Sequence, residues 1–125
     1  MAKVATTGLT VSGVPYGEEV TAGDLVGWNN NQLVLACGAM GFVVPAVGMA
    51  AASYGSGDLG AMHLLGEISG FTGLTVGETQ YLSLDTPGGI QSAVPSGAGN
   101  LKQAVGYAVA PDRIVFAPQD MGTVL

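Results

Sequence analysis

Charge is what this chain has least of. Nine acidic and three basic side chains make up 10% of its 125 residues, against roughly 25% in an ordinary globular protein. The bases are Lys3, Lys102 and Arg113, and the net charge is −6. So few cations cannot neutralise a run of phosphates, so direct nucleic-acid binding is not expected. An acidic chain is also repelled by anionic membrane surfaces. Cysteine occurs once, as Cys37, which rules out an intrachain disulfide and reads as a small buried hydrophobe within an apolar run. Histidine also occurs once. His63 has no cysteine or histidine companion, so neither a metal centre nor a cofactor is expected. No nucleophile elbow, phosphate-binding Gly-Lys-Ser/Thr or dinucleotide fingerprint is present, and Glu18 and Glu19 are adjacent, facing opposite sides of any strand. The reading is therefore non-enzymatic. The start, MAKVATT, has one basic residue and no apolar signal-peptide core.

What the chain has in quantity is glycine, 21 residues, and apolar side chains, 48%. A chain of this length builds one domain with a modest core. With so little charge, a lone copy would expose much uncharged surface, so contact with further copies or a partner is expected. No charged residue occurs between Asp24 and Asp58, and Leu33–Ala52 is twenty residues of mostly apolar or small character. That is long enough to span a membrane as a helix. Gly38, Gly41, Pro45 and Gly48 weaken any such helix, and no flanking Lys or Arg orients it. The run reads instead as short buried or interfacial strands, with no membrane partner.

A repeat organises the chain. VTAGDLVGWNNNQLVLA followed by AVGMAAA, within residues 20–52, is echoed by LTVGETQYLSLDTPGGIQ followed by AVGYAVA, within residues 74–110. Gly23 aligns with Gly77 and Val47-Gly48 with Val105-Gly106, the second copy being four residues longer between these marks. A strand-turn-strand unit used twice, without catalytic residues, suits a structural or assembly role. The expected strands are Leu25–Trp28, Gln32–Ala36, Ala46–Ala52, Ala61–Ile68, Thr79–Leu84, Ile90–Val94, Gln103–Ala110 and Arg113–Phe116. Asn29–Asn31 and Thr86-Pro87-Gly88-Gly89 supply turns. Asp24, Asp58, Glu78 and Asp85 fall at turns, where carboxylates bond their own backbone. The expected fold is mainly β: a small β-barrel or sandwich of short strands, built by internal duplication. It comprises an extended N-terminal arm (1–15), one β domain (16–117) of two similar halves (20–69 and 74–116), and an irregular tail (118–125) in which Met121, Val124 and Leu125 could dock.

The string GLTVGETQYLSLDTPGGIQSAVP followed by QAVGYAVAPDRIVFAP resembles a module of tailed-bacteriophage structural proteins. Gly73–Thr75, Tyr81–Ser83, Thr86–Gly89 and Val105–Ala108 carry the likeness. The first copy, with Ala22-Gly23-Asp24 and Val47-Gly48, is similar to the small β-barrel of capsid decoration (cement) proteins. The resemblance implies a virion structural protein on the outer surface of the phage head. It would act as a homo-oligomer, typically a trimer, bridging subunits of the major capsid protein and stabilising the shell. The arm, through Val4, Thr6, Leu9, Val11 and Val14, would add a strand to the shell, and Phe42, Val43 and Val44 would serve self-association. Deleting residues 2–13 should then abolish capsid binding and leave the barrel folded. Two other readings stand beside it. A head-fibre or tail-appendage protein would display an aromatic platform from Trp28, Tyr54 or Tyr81. A small ligand-binding β-barrel would be monomeric with a defined pocket.

Overall fold

The computed structural model describes residues 4–119 and 122–125, with side chains from Leu9 onward. Met121 lies outside the described residues. Eleven strands and no helix occur among them: β1 (Val4–Pro15), β2 (Leu25–Asn29), β3 (Gln32–Leu35), β4 (Gly48–Ala50), β5 (Leu59–Ser69), β6 (Thr79–Leu82), β7 (Ile90–Gln91), β8 (Leu101–Lys102), β9 (Ala104–Ala110), β10 (Arg113–Phe116) and β11 (Thr123–Val124). No helix among the described residues is long and apolar enough to cross a membrane. The main sheet runs β3-β2-β4-β5-β10-β9-β6-β7, with β1 also on β5, and it curls into a half-barrel. The mainly-β fold expected from the sequence is the one observed.

The repeat is reproduced bond for bond. Gly23 N–H donates to the Ala50 carbonyl (2.9 Å) and Ala50 N–H to that of Asp24 (2.8 Å). In the second half, Gly77 N–H donates to the Ala108 carbonyl (2.7 Å) and Ala108 N–H to that of Glu78 (3.0 Å). Gly23 (φ +91°) and Gly77 (φ +85°) hold the left-handed corner of the two turns. Leu25 and Val26 pair with Met49 and Gly48, and Thr79 and Gln80 pair with Tyr107 and Gly106. Met49–His63 and Ala50–Met62 are matched by Tyr107–Val115 and Ala108–Ile114. Trp28–Leu33 is matched by Leu82–Ile90. Each half is thus four strands in the same spatial order, β3-β2-β4-β5 in the first and β7-β6-β9-β10 in the second. The repeated Val-Gly has a steric cause: a Cβ on Gly106 would stand 2.1 Å from the Val115 carbonyl oxygen, and one on Gly48 2.8 Å from that of His63.

The long strand β5 joins the halves. β1 runs along one of its edges from Val4–Ser69 to Pro15–Leu59, with three register shifts. β4 and β10 share the other edge, β4 at Met62 and His63, β10 from Gly66 to Ser69. Between them the sheet forks at Leu64 and Leu65. Extending the β10 register would set Pro118 opposite Leu64, and proline has no N–H to donate. The chain instead stays with β9, Ala117 N–H bonding the Val105 carbonyl (2.9 Å) and Gln119 N–H that of Ala104 (2.8 Å).

Two apolar clusters follow from this layout. One, inside the first half, contains Tyr16, Val20, Val26, Leu33, Ala50 and Met62. The other lies between the halves and inside the second, and includes Leu25, Met49, Ile68, Leu82, Ile114 and Phe116. Neighbours Leu25 and Val26 point to opposite clusters, as do Met49 and Ala50, so β2 and β4 are buried on both faces. That is why Leu25-Val26 and Gly48-Met49-Ala50 are continuous apolar or small runs instead of alternating ones. At the fork, the buried Gln103 amide spans both halves. Its Oε1 accepts from Ala46 N–H (2.8 Å), and its Nε2 donates to the carbonyls of Ala46 and Gln119 (2.8 Å each).

Some sequence expectations are trimmed. The strand expected over Ala46–Ala52 is three residues long, and Ile90–Val94 shortens to two. Past Gln91 the chain turns, the Gln91 side chain donating to the Ala93 carbonyl (2.7 Å). The tail is not irregular throughout: Thr123 and Val124 pair with Lys102 and Leu101. Its Thr-Val pair of β-branched residues was the available signal.

Candidate functional site

Ionisable groups serve the backbone first. Asp24 Oδ2 accepts from Thr21 N–H (2.9 Å), Asp58 Oδ2 from Gly55 N–H (2.7 Å), and Glu18 Oε1 from Leu35 N–H (2.6 Å). Arg113 pairs with Glu67, and its Nε stands 3.9 Å from Asp112. His63 Nδ1 lies 2.8 Å from the Thr10 hydroxyl, and desolvation lowers its pKa below the usual imidazole value. No group of three or more His, Cys, Asp or Glu residues is placed to hold a metal ion among the described residues.

The interaction surfaces lie on edges and loops. β1 has β5 on one edge, and among the described residues no strand pairs with the other. Leu9 is 53% exposed, whereas Val11 and Val14 pack against the first-half cluster. The side chains of Val4 and Thr6 lie outside the described residues, although their backbone belongs to β1. The loop between Cys37 and Val44 is closed by paired bonds of 3.0 and 2.8 Å between those two residues. It presents Phe42 at 58% exposure, half-buries Val43 against the larger cluster, and buries Val44. Phe42 is therefore the member of that trio available to a second copy. Sequence reading missed its companion Met40, 68% exposed, whose N–H bonds Asn100 Oδ1 (2.7 Å). Leu125 reaches the same place through backbone bonds to Gly99 and Asn100 (2.7 and 2.8 Å). Distant in sequence, Met40 and Leu125 are both held to the Gly99-Asn100 segment, which β8 pairing with β11 sets beside the loop.

The three aromatic residues considered for a platform are not equivalent. Trp28 is exposed near the tip of the β2–β3 hairpin. Tyr54 is half-buried against the first-half cluster, stacked on Tyr16 with ring centroids 4.6 Å apart. Tyr81 is half-buried. Grooves also mark the surface of the described residues. One of about 300 Å³ occupies the fork, lined by Val47, Leu64, Leu65, Ala117 and Pro118. Another, of about 530 Å³, lies in the second half beside Phe71, Leu74, Glu78, Gln80, Ile90 and Ser92.

A scan against protein-family models and a search of curated proteins each returned no match.

Proposed function

We propose that this protein is a structural component of a tailed-phage virion. It binds the outer face of the head as a homotrimer and bridges adjacent subunits of the major capsid protein. Binding the assembled shell in preference to free subunits stabilises the shell by mass action. The outer edge of β1 carries the reading. From Val4 to Pro15 it holds no charged residue, and its only proline is the last residue. Natural proteins guard such edges with lysine or proline. With neither before Pro15, the edge supplies main-chain donors and acceptors for a strand from a partner. Low overall charge and the exposed apolar loop at Met40 and Phe42 support contact with neighbours.

The structure changes how this is tested. Removing residues 2–13 would take Val11 from the first-half cluster and leave most of β5 without its partner. A truncation of residues 2–8 spares both Val11 and Val14. Full-length protein should co-sediment with empty, expanded phage heads, and the truncated protein, still folded by circular dichroism, should remain in the supernatant. Unimpaired binding by the truncated form refutes the role of β1. Failure of the full-length protein to bind, or a monomeric mass by light scattering, refutes the decoration reading itself.

A further inference from the structure

The two halves place equivalent residues alike but do not use up the same hydrogen-bond acceptors. Asp24 and Glu78 are equivalent, their carbonyls receiving the N–H groups of Ala50 and Ala108. The Asp24 carboxylate is turned back on Thr21 N–H (2.9 Å). Glu78 is one methylene longer and exposed, its carboxylate bonds no N–H among the described residues, and it lines the 530 Å³ groove. Leu33 and Ile90 are equivalent too, opposite Trp28 and Leu82. The Leu33 carbonyl accepts from Gly17 N–H (2.8 Å), which seals the first half along β3. In the second half Leu82 N–H is committed to the Gln103 carbonyl (3.0 Å). Opposed residues of an antiparallel pair exchange both bonds or neither. The Ile90 carbonyl therefore points away from β6, and no N–H among the described residues reaches it.

Gln80 supplies a third acceptor. It occupies the register position of Val26, a residue of the first-half cluster, and is 1% exposed. Its Nε2 makes only a long 3.4 Å contact to the Glu78 carbonyl, and because a carbonyl can only accept, that contact fixes which end of the amide is which. The Oε1 accepts from no described residue. No fully enclosed side-chain oxygen among the described residues lacks a partner, so this one opens into the groove that Gln80 lines.

From this we infer that the groove receives an arginine side chain of a partner protein. The guanidinium is shared among the Glu78 carboxylate, Gln80 Oε1 and the Ile90 carbonyl, and the stem lies along Leu74 and Ile90. Glu78 is the sole charged residue lining the groove, and the chain carries a net charge of −6, so a cation is favoured. A guanidinium offers five donors in a planar fork and no acceptor, which suits acceptors on three separate groups. It is also more weakly hydrated than an ammonium, so it enters beside a buried amide at lower cost than lysine. The chain's only arginine, Arg113, is engaged by Glu67 and Asp112, so a second copy is not the source. The site goes beyond the capsid reading and does not rest on it.

Amide NMR titrations of the full chain test this, with N-acetyl-argininamide, its neutral isostere N-acetyl-citrullinamide, and N-acetyl-lysinamide as probes. Argininamide should give saturable shifts at residues 74–80 and 90–93. It should bind about tenfold tighter than citrullinamide, the worth of one charge-assisted hydrogen bond, and tighter than lysinamide. Glu78→Gln keeps the size of the side chain and should lower argininamide affinity about tenfold. Glu19→Gln, which removes an exposed charge that does not line the groove, should leave it unchanged. Absence of saturable shifts, equal affinities for argininamide and either other probe, or equal losses from the two glutamate variants would each overturn the inference. The comparison of probes on the unaltered protein needs no variant, so it decides even if Glu78→Gln misfolds.

Discussion

Replacing Gln103 by Met tests whether the fork is held by one side chain. Methionine matches the shape of glutamine closely, so little cavity is created. What is lost is three hydrogen bonds of 2.8 Å, two to Ala46 and one to Gln119. Ala46 is buried, so its N–H and carbonyl would both stand unsatisfied, at about 1–3 kcal/mol each. The Gln119 carbonyl belongs to an exposed residue and can turn to water. The expected loss is about 3–4 kcal/mol, a large fraction of the roughly 6–19 kcal/mol typical of 125 residues. In melting temperature that is on the order of 10–15 °C. Urea unfolding at fixed low protein concentration, with an unchanged m-value, measures it. Gln91→Met is the control. Gln91 also bridges backbone groups, at Leu84 and Ala93 (2.9 and 2.7 Å), but it is only half-buried, so about 1 kcal/mol is expected. A loss below about 1 kcal/mol at Gln103 would mean that water replaces the amide, refuting the reasoning.

Burial, and secondarily Tyr54, pushes the Tyr16 pKa up to about 12. An unfolded tyrosine ionises near 10, so stability is fully present below that pH and falls by roughly 2 kcal/mol as pH rises from about 10 to 12. Tyr16→Phe should flatten this alkaline limb, as followed by tyrosinate absorbance during denaturation. His63 has the opposite sign: its folded pKa lies below the unfolded value near 6.5, so its contribution is complete above that pH and declines below it. His63→Gln should remove this acid-side slope in urea titrations between pH 7 and 5. Gly106→Ala should cost more than about 3 kcal/mol, because its Cβ meets the Val115 carbonyl oxygen at 2.1 Å, whereas Gly13→Ala meets nothing and bears only its left-handed backbone. Equal melting temperatures for the two glycine variants would refute the close-approach account.

Sequence alone made the fold class and the repeat readable, because both are local and periodic. The Thr-x-Gly-acid corners at 21–24 and 75–78 announce the same turn twice. Thr79–Leu82 is a strand as expected, although Gln80 is buried beside Leu82 and not turned out as its polarity suggests, and Asn30 and Asn31, both with positive φ, make the expected hairpin turn. The candidate site was less legible. Val44 and Phe42 look alike in sequence, yet one is buried and the other exposed, because the Cys37–Val44 bridge turns one inward and lifts the other out. Val11 and Val14 read as arm residues, but register with β5 sets them against the first-half cluster.

Sequence therefore determined that this is a β protein of two like halves, poor in charge. Tertiary structure alone decided how the halves differ. Tyr16 and Tyr54 are 38 positions apart in the chain and fill one half together. The second half has a polar glutamine and a groove in the corresponding place. No local pattern announces such a difference. It arises where one connection is long enough to fold a ring back over the core, and its counterpart, at Pro111-Asp112, is too short to do so.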